Sequence, residues 1–178
     1  MARGAFHVPY GYNNQQKSGP KGSLFVYDSM EGWERGDFER VIAWAAEKQY
    51  AKLVWFPLHE ETVRRMGTGP VRPFYRRAEE LEEMIGELES GEVYQTVEDW
   101  EGRRKKYTPM ETAFRFLTEK YPGPHAVYMT ERTANLFAGY ASFDEWIRKI
   151  RLVIVPSSAP VFHPKLLSNE NRWERLVL

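Results

Sequence analysis

Ser23-Leu24-Phe25-Val26-Tyr27 ends in Asp28, and further along Lys52-Leu53-Val54-Trp55-Phe56 ends in Pro57. Both runs are continuously apolar, the pattern of strands covered on both faces. Between them lies a loop with Gly32 and Gly36, and then Phe38, Val41, Ile42, Ala45 and Ala46 recur at helical spacing. Asp37 is placed to cap that helix, where a carboxylate suits the positive end of its dipole. A strand–helix–strand unit of this length joins parallel strands by a right-handed crossover, because a tight hairpin cannot.

The same alternation returns toward the C-terminus. Ala126 to Met129 and Leu152 to Val155 read as third and fourth strands. Two capping boxes, Thr108-Pro109-Met110-Glu111 and Ser142-Phe143-Asp144-Glu145, predict helix starts, the second opening a helix through Ile150. The tail from Phe162 reads as a short helix or an edge strand. The middle differs: His59 to Met66 reads as a short helix, and Phe74 to Glu89 as a charged helix with a stripe of Leu81, Met84, Ile85 and Leu88. Acidic residues dominate Glu79 to Glu101, and the sign flips at Arg103-Arg104-Lys105-Lys106, a pattern of solvated surface. The expected fold is therefore α/β, three-layer and Rossmann-like, with a mainly parallel sheet and a charged helical insert at about 59–107. It forms one domain over 1–178, with 1–22 as an N-terminal arm.

Composition narrows the chemistry. The 178 residues carry 25 Lys+Arg against 25 Asp+Glu, so no global field recruits nucleic acid, which is disfavoured as a partner. The absence of cysteine removes disulfides, thiolate zinc sites and a thiol nucleophile. No apolar run approaches the ~20 residues that span a bilayer, and the N-terminus lacks a signal core, so the chain reads as soluble and cytoplasmic, without a membrane partner. The six Trp leave a homo-oligomeric interface open. No residue pattern specifies a cofactor or a metal site.

In open parallel sheets, ligands bind beyond the carboxyl ends of the strands. The residues just past the four expected strands are Asp28, His59-Glu60-Glu61, Thr130 and Ser157-Ser158. His59 is the general acid/base candidate, with Glu60 and Asp28 as its carboxylate partners. A plain helix start would also favour Glu60 and Glu61, and Thr130 also suits a helix cap. The arginines around Gly67-Thr68-Gly69 form a second cluster, in which Arg65 and Arg72 are candidate anion holders. Arg76 and Arg77 are expected to pair with Glu79, Glu80, Glu82 and Glu83 at helical offsets. His163 and Lys165, past the fourth strand, are further candidates for an anion.

Two family resemblances attach to these residues. His163-Pro164-Lys165 is similar to the H-x-K element of the phospholipase D phosphodiesterases, in which the His is the nucleophile and the Lys binds phosphate. Glu170 stands where that family has Asp, and its Gly-Ser-x-Asn element is absent. The stretch from Gly36 to Phe56 looks like the first unit of the HxGH nucleotidyltransferases. Glu34 and Asp37 occupy the places of the histidines that stabilise the transferring phosphate there. No family is assigned on either match. The reading that results is a small anionic ligand, phosphate-bearing or a nucleotide, at the strand carboxyl ends, with enzymatic activity left open. The alternative is a non-catalytic protein–protein interaction module that uses the charged helical middle.

Overall fold

The computed structural model describes residues 19–177. Of the N-terminal arm, residues 1–18 lie outside the described part, and Lys21 N donates to Gln49 O at 3.0 Å. Six strands, β1 (Ser23–Asp28), β2 (Lys52–Pro57), β3 (Tyr94–Val97), β4 (His125–Thr130), β5 (Arg151–Val155) and β6 (Trp173–Arg175), form one sheet in the order β3-β2-β1-β4-β5-β6. Every neighbouring pair is parallel. This is the three-layer, Rossmann-like α/β architecture expected from the sequence.

The pleat sorts the side chains of β1 between two cores. Leu24 and Val26 face α1 (Arg35–Glu47), joining Phe38, Val41, Ile42 and Trp55, with Leu81 of α3 (Phe74–Glu87) added to the same cluster. Phe25 and Tyr27 face the other side. There they join Val63 and Met66 of α2 (Glu60–Met66) and Ala113, Phe114 and Leu117 of α5 (Met110–Lys120). Phe137 of α6 (Glu131–Ala138) and Trp146 of α7 (Phe143–Trp146) complete that face. Phe114 is its hub, set edge-on to Tyr27, Phe137 and Trp146 at centroid distances of 5.4–5.8 Å. The ~3–5 kcal/mol that a buried Phe-to-Ala change costs makes such a hub decisive for this layer.

Several local expectations need correction. Segment 59–107 contains α2, α3 and α4 (Trp100–Arg104), but it also contains β3, an edge strand of the sheet. Its α2–α3 part is thus the crossover that joins the adjacent strands β2 and β3, not an appendage to them. Neither expected capping box forms. Pro109 is the cap residue of α5, while Thr108 Oγ1 accepts from Arg104 Nε at 2.9 Å and Thr108 N donates to Thr62 Oγ1 at 3.0 Å. Ser142 makes no side-chain cap bond, and α7 is one turn long. At α1 the cap is Glu34, in a reciprocal box with Asp37 as its third residue. The tail holds both expected elements, α8 (Pro164–Leu167) and the edge strand β6.

Candidate functional site

The strand order places the switch point between β1 and β4. From there α1 leaves on one face of the sheet and α6 on the other. Asp28 closes β1 on the α1 side. Its Oδ1 accepts from Met30 N at 2.7 Å, and its backbone oxygen accepts from Leu58 N at 3.1 Å. Burial pushes its carboxyl up from 3.8 to about 6, against the opposing pull of the Met30 and Ser29 amides and the Arg77 charge. Met30 itself sits at φ 61°, a left-handed conformation that turns the loop back toward the sheet.

The His59 ring is 13% exposed and its orientation is fixed at every polar atom. Nδ1 accepts from Glu61 N at 3.1 Å as the cap of α2, and Nε2 lies 3.5 Å from Glu60 Oε1. The backbone N donates to Glu101 Oε1 at 2.9 Å. Glu60 is therefore against His59 as the sequence suggested, whereas no hydrogen bond joins His59 to Asp28 among the described residues. The expected three-residue acid/base group is assembled only as the His59–Glu60 pair.

Arg77 joins the two loops and departs from the expected helical ion pairs. It is 3% exposed. Its Nη1 donates to Ser29 O at 2.9 Å and to Leu58 O at 2.8 Å, and its Nε donates to Arg72 O at 2.7 Å. Nη2 has no hydrogen-bond partner and stands 3.6 Å from Glu60 Oε1. One guanidinium thus fastens the loop after β1 to the loop after β2. Beside it a cavity of about 260 Å³ opens between the β1–α1 loop and α3, lined by Met30, Trp33, Phe38, Leu81, Met84 and Arg77 and by three carboxylates of α3, Glu80, Glu83 and Glu87. Trp33 is set edge-on to Phe38 at 5.1 Å and to Tyr128 of β4 at 5.9 Å, so its ring spans the switch point.

The remaining candidates are dispersed. Arg72 is held by Glu31 (Nε to Oε2, 2.8 Å) and by both oxygens of Glu80 (2.8 and 2.9 Å), so two carboxylates already occupy its fork. Arg65 is exposed and lies over the Tyr107 ring at 4.2 Å. Thr130 caps α6, its hydroxyl accepting from Thr133 N at 3.3 Å. Ser157 N donates to Glu131 Oε1 at 2.7 Å, and Val161 N to Glu131 Oε2 at 2.8 Å, which ties the loop after β5 to α6. His163 caps α8 by accepting from Lys165 N at 3.0 Å, and Lys165 Nζ faces Asp144 at 3.6 Å. That pair sits away from β1 and β2, on the β5–β6 side of the sheet.

Two buried carboxylates went unread in the sequence because they lie inside the acidic run. Glu98, 2% exposed at the end of β3, accepts from Lys120 Nζ at 2.6 Å, Tyr121 OH at 2.7 Å and Arg103 Nη2 at 3.2 Å. Glu101 is wholly buried, with Oε1 on the His59 amide and Oε2 unpartnered. Its charge, with desolvation as the larger cause, raises the Tyr27 phenol well above its ordinary range. The basic cluster is engaged internally as well: Arg104 lies over Trp100 at 5.0 Å, and Trp100 stacks on Phe116 at 4.0 Å.

No family model and no curated protein matches the sequence. Among solved structures, the chain is similar to that titled "Plasmodium falciparum nicotinic acid mononucleotide adenylyltransferase complexed with NaAD". The likeness covers 86% of this chain and 74% of that one, with a TM-score of 0.63 and 7% identity. No helix among the described residues is long and apolar enough to cross a membrane. The chain therefore has a Rossmann-like α/β fold, shared with a nucleotidyltransferase at an identity that carries the fold and not the chemistry.

Proposed function

We propose that the chain binds a small phosphate-bearing ligand of the nucleotide class at the carboxyl ends of β1, β2 and β4. The observation that carries this reading is the β1/β4 switch point with the cavity of Trp33 and Phe38 opening beside it. The aromatic walls suit a planar base, and the carboxylates of Glu80, Glu83 and Glu87 along the same cavity keep the phosphate outside it. The fold's likeness to an adenylyltransferase crystallised with NaAD supports a nucleotide in particular.

The two helices that flank the switch point are unequal hosts for phosphate. The first turn of α1 is occupied by the Glu34–Asp37 box, whose two carboxylates oppose an anion at the positive end of the dipole. α6 is capped by the neutral Thr130, and the one carboxylate of its first turn, Glu131, is engaged by the amides of Ser157 and Val161, while Arg132 beside it donates to Gly67 O at 2.6 Å. Phosphate accordingly belongs at α6, with Arg65 and Arg132 as the exposed cations in that quarter.

The proposal is one of binding. Carboxylates at Glu34 and Asp37 do not supply the proton donors that a transferring phosphate needs. Should the bound ligand react, the His59–Glu60 pair supplies the general acid/base group.

A thermal-shift panel of nucleoside mono-, di- and triphosphates, dinucleotides and sugar phosphates tests the reading. A true ligand at 100 times its dissociation constant stabilises the fold by about 2.7 kcal/mol, a readily measured shift. Absence of any shift from every nucleotide and sugar phosphate overturns it.

A further inference from the structure

A groove of about 650 Å³ lies between α3 and α4 and takes no part in the switch point at the strand ends. One wall is a helical stripe of α3. Phe74, Ala78 and Glu82 are spaced four apart, as are Tyr75, Glu79 and Glu83, so two neighbouring rows of the helix line the groove side by side. The stripe is apolar at its start and acidic at its end. The facing wall is Asp99, Gly102 and Arg103 of the β3–α4 region. Gly102 permits the close approach: a Cβ there would stand 2.2 Å from Phe74 Cε2.

Two observations separate this groove from an ordinary solvated helix face. Tyr75, at its apolar end, is 68% exposed, an aromatic ring left in water. The carboxylates of α3 also differ in their partners. Glu80 is paired with Arg72 and Glu87 with Arg35, whereas Glu79, Glu82 and Glu83 on the groove stripe have no ion-pair partner among the described residues. The facing cation, Arg103, is already held by Glu98 and Asp99 at 3.2 and 3.0 Å, and Arg76 is exposed at the N-terminal end of the same helix.

We infer that this groove docks a basic, amphipathic peptide segment of a partner protein, its apolar side chains on Phe74, Tyr75 and Ala78 and its Lys or Arg side chains on Glu79, Glu82 and Glu83. The stripe from Phe74 to Glu83 is about 13 Å long, which matches two to three turns of helix in the partner. Charge complementarity selects the partner: a segment with the opposite sign meets three unpaired carboxylates, and a purely apolar one leaves them uncompensated. This inference concerns a different surface from the ligand proposed at the strand ends, with Glu83 alone lining both the groove and the strand-end cavity.

The test is fluorescence anisotropy of the full chain with a labelled helical peptide of about twelve residues built from Lys, Leu and Ala, beside the same peptide with Glu for Lys. The basic peptide binds and the acidic one does not, and the affinity falls as salt rises past about 0.1 M. Glu79→Lys with Glu82→Lys weakens binding at least ~10-fold and Tyr75→Ser about 5-fold. Glu119→Lys, on the opposite face of the sheet, changes it less than ~2-fold. Circular dichroism melts confirm that the variants stay folded. Failure of the basic peptide to bind at low salt, equal binding of both peptides, or equal weakening by Glu119→Lys and the groove reversals each overturns the inference.

Discussion

The carboxyl end of the sheet is held together in two different ways on its two sides. On the β1–β2 side the tie is a buried charge: Arg77 bonds the carbonyls of Ser29, Leu58 and Arg72 from inside the protein, with Glu60, Glu31 and Asp28 around it. On the β4–β5 side the ties lie at the surface, with the Thr130 hydroxyl on α6 and the Glu131 carboxylate on the amides of Ser157 and Val161. A buried guanidinium cannot exchange its partners for water, so its loss exposes three carbonyls to an apolar setting. A surface cap is replaced by water at small cost. The first half is consequently stiff and pH-sensitive, and the second is tolerant.

That contrast predicts a graded series. Arg77→Met is the largest effect, lowering the unfolding free energy in urea by about 3 kcal/mol, because charge-assisted bonds to buried carbonyls are lost without replacement. A loss below about 1 kcal/mol would mean that Arg77 is not the fastening of the β1–β2 side.

Asp28 comes next. The fold holds its proton more tightly than the unfolded chain, since its carboxyl is raised from 3.8 to about 6. Stability attributable to this group is therefore full below 3.8, falls as pH rises through about 6, and stays low above it. Asp28→Asn keeps an acceptor for Met30 N and removes that loss. The variant is expected to gain about 2 kcal/mol over the parent at neutral pH and to lose the decline between those two values. Urea midpoints measured across that window check it, and parallel curves for the two proteins would contradict it.

The smallest change belongs to the other side. Thr130→Ala costs about 1 kcal/mol, the ordinary worth of a helix cap, with no dependence on pH between 4 and 8 in the same ~1 kcal/mol range. A cost equal to that of Arg77→Met would erase the difference between the two halves.

How much of this was legible in the sequence follows from burial. The runs ending at Asp28, Pro57, Met129 and Val155 are apolar throughout because both faces of those strands are covered, and each was readable. β3 was not: Tyr-Gln-Thr-Val is four residues at the sheet edge, partly exposed and embedded in acidic sequence, so periodicity has nothing to register. The strand-end positions of Asp28, His59 and Thr130 were readable, since strand ends follow from strands. Arg77 was misassigned by charge pairing, although its spacing held the signal. It falls four residues before Leu81, on the stripe that continues to Met84 and Ile85, and a charge on a buried stripe must find internal partners. Glu98 and Glu101 had no such signal. What buries them is the return of α4 under β2, a long-range event that no local pattern encodes.

The location of a nucleotide-class ligand at the β1/β4 switch point is tested most directly by amide chemical-shift mapping of the labelled chain. A saturating nucleotide from the thermal-shift panel should move the amides of Met30 to Asp37 and of Glu131 to Thr133 together, and leave α7 and α8 unchanged. Shifts confined to other surfaces, or none at saturation, would contradict it.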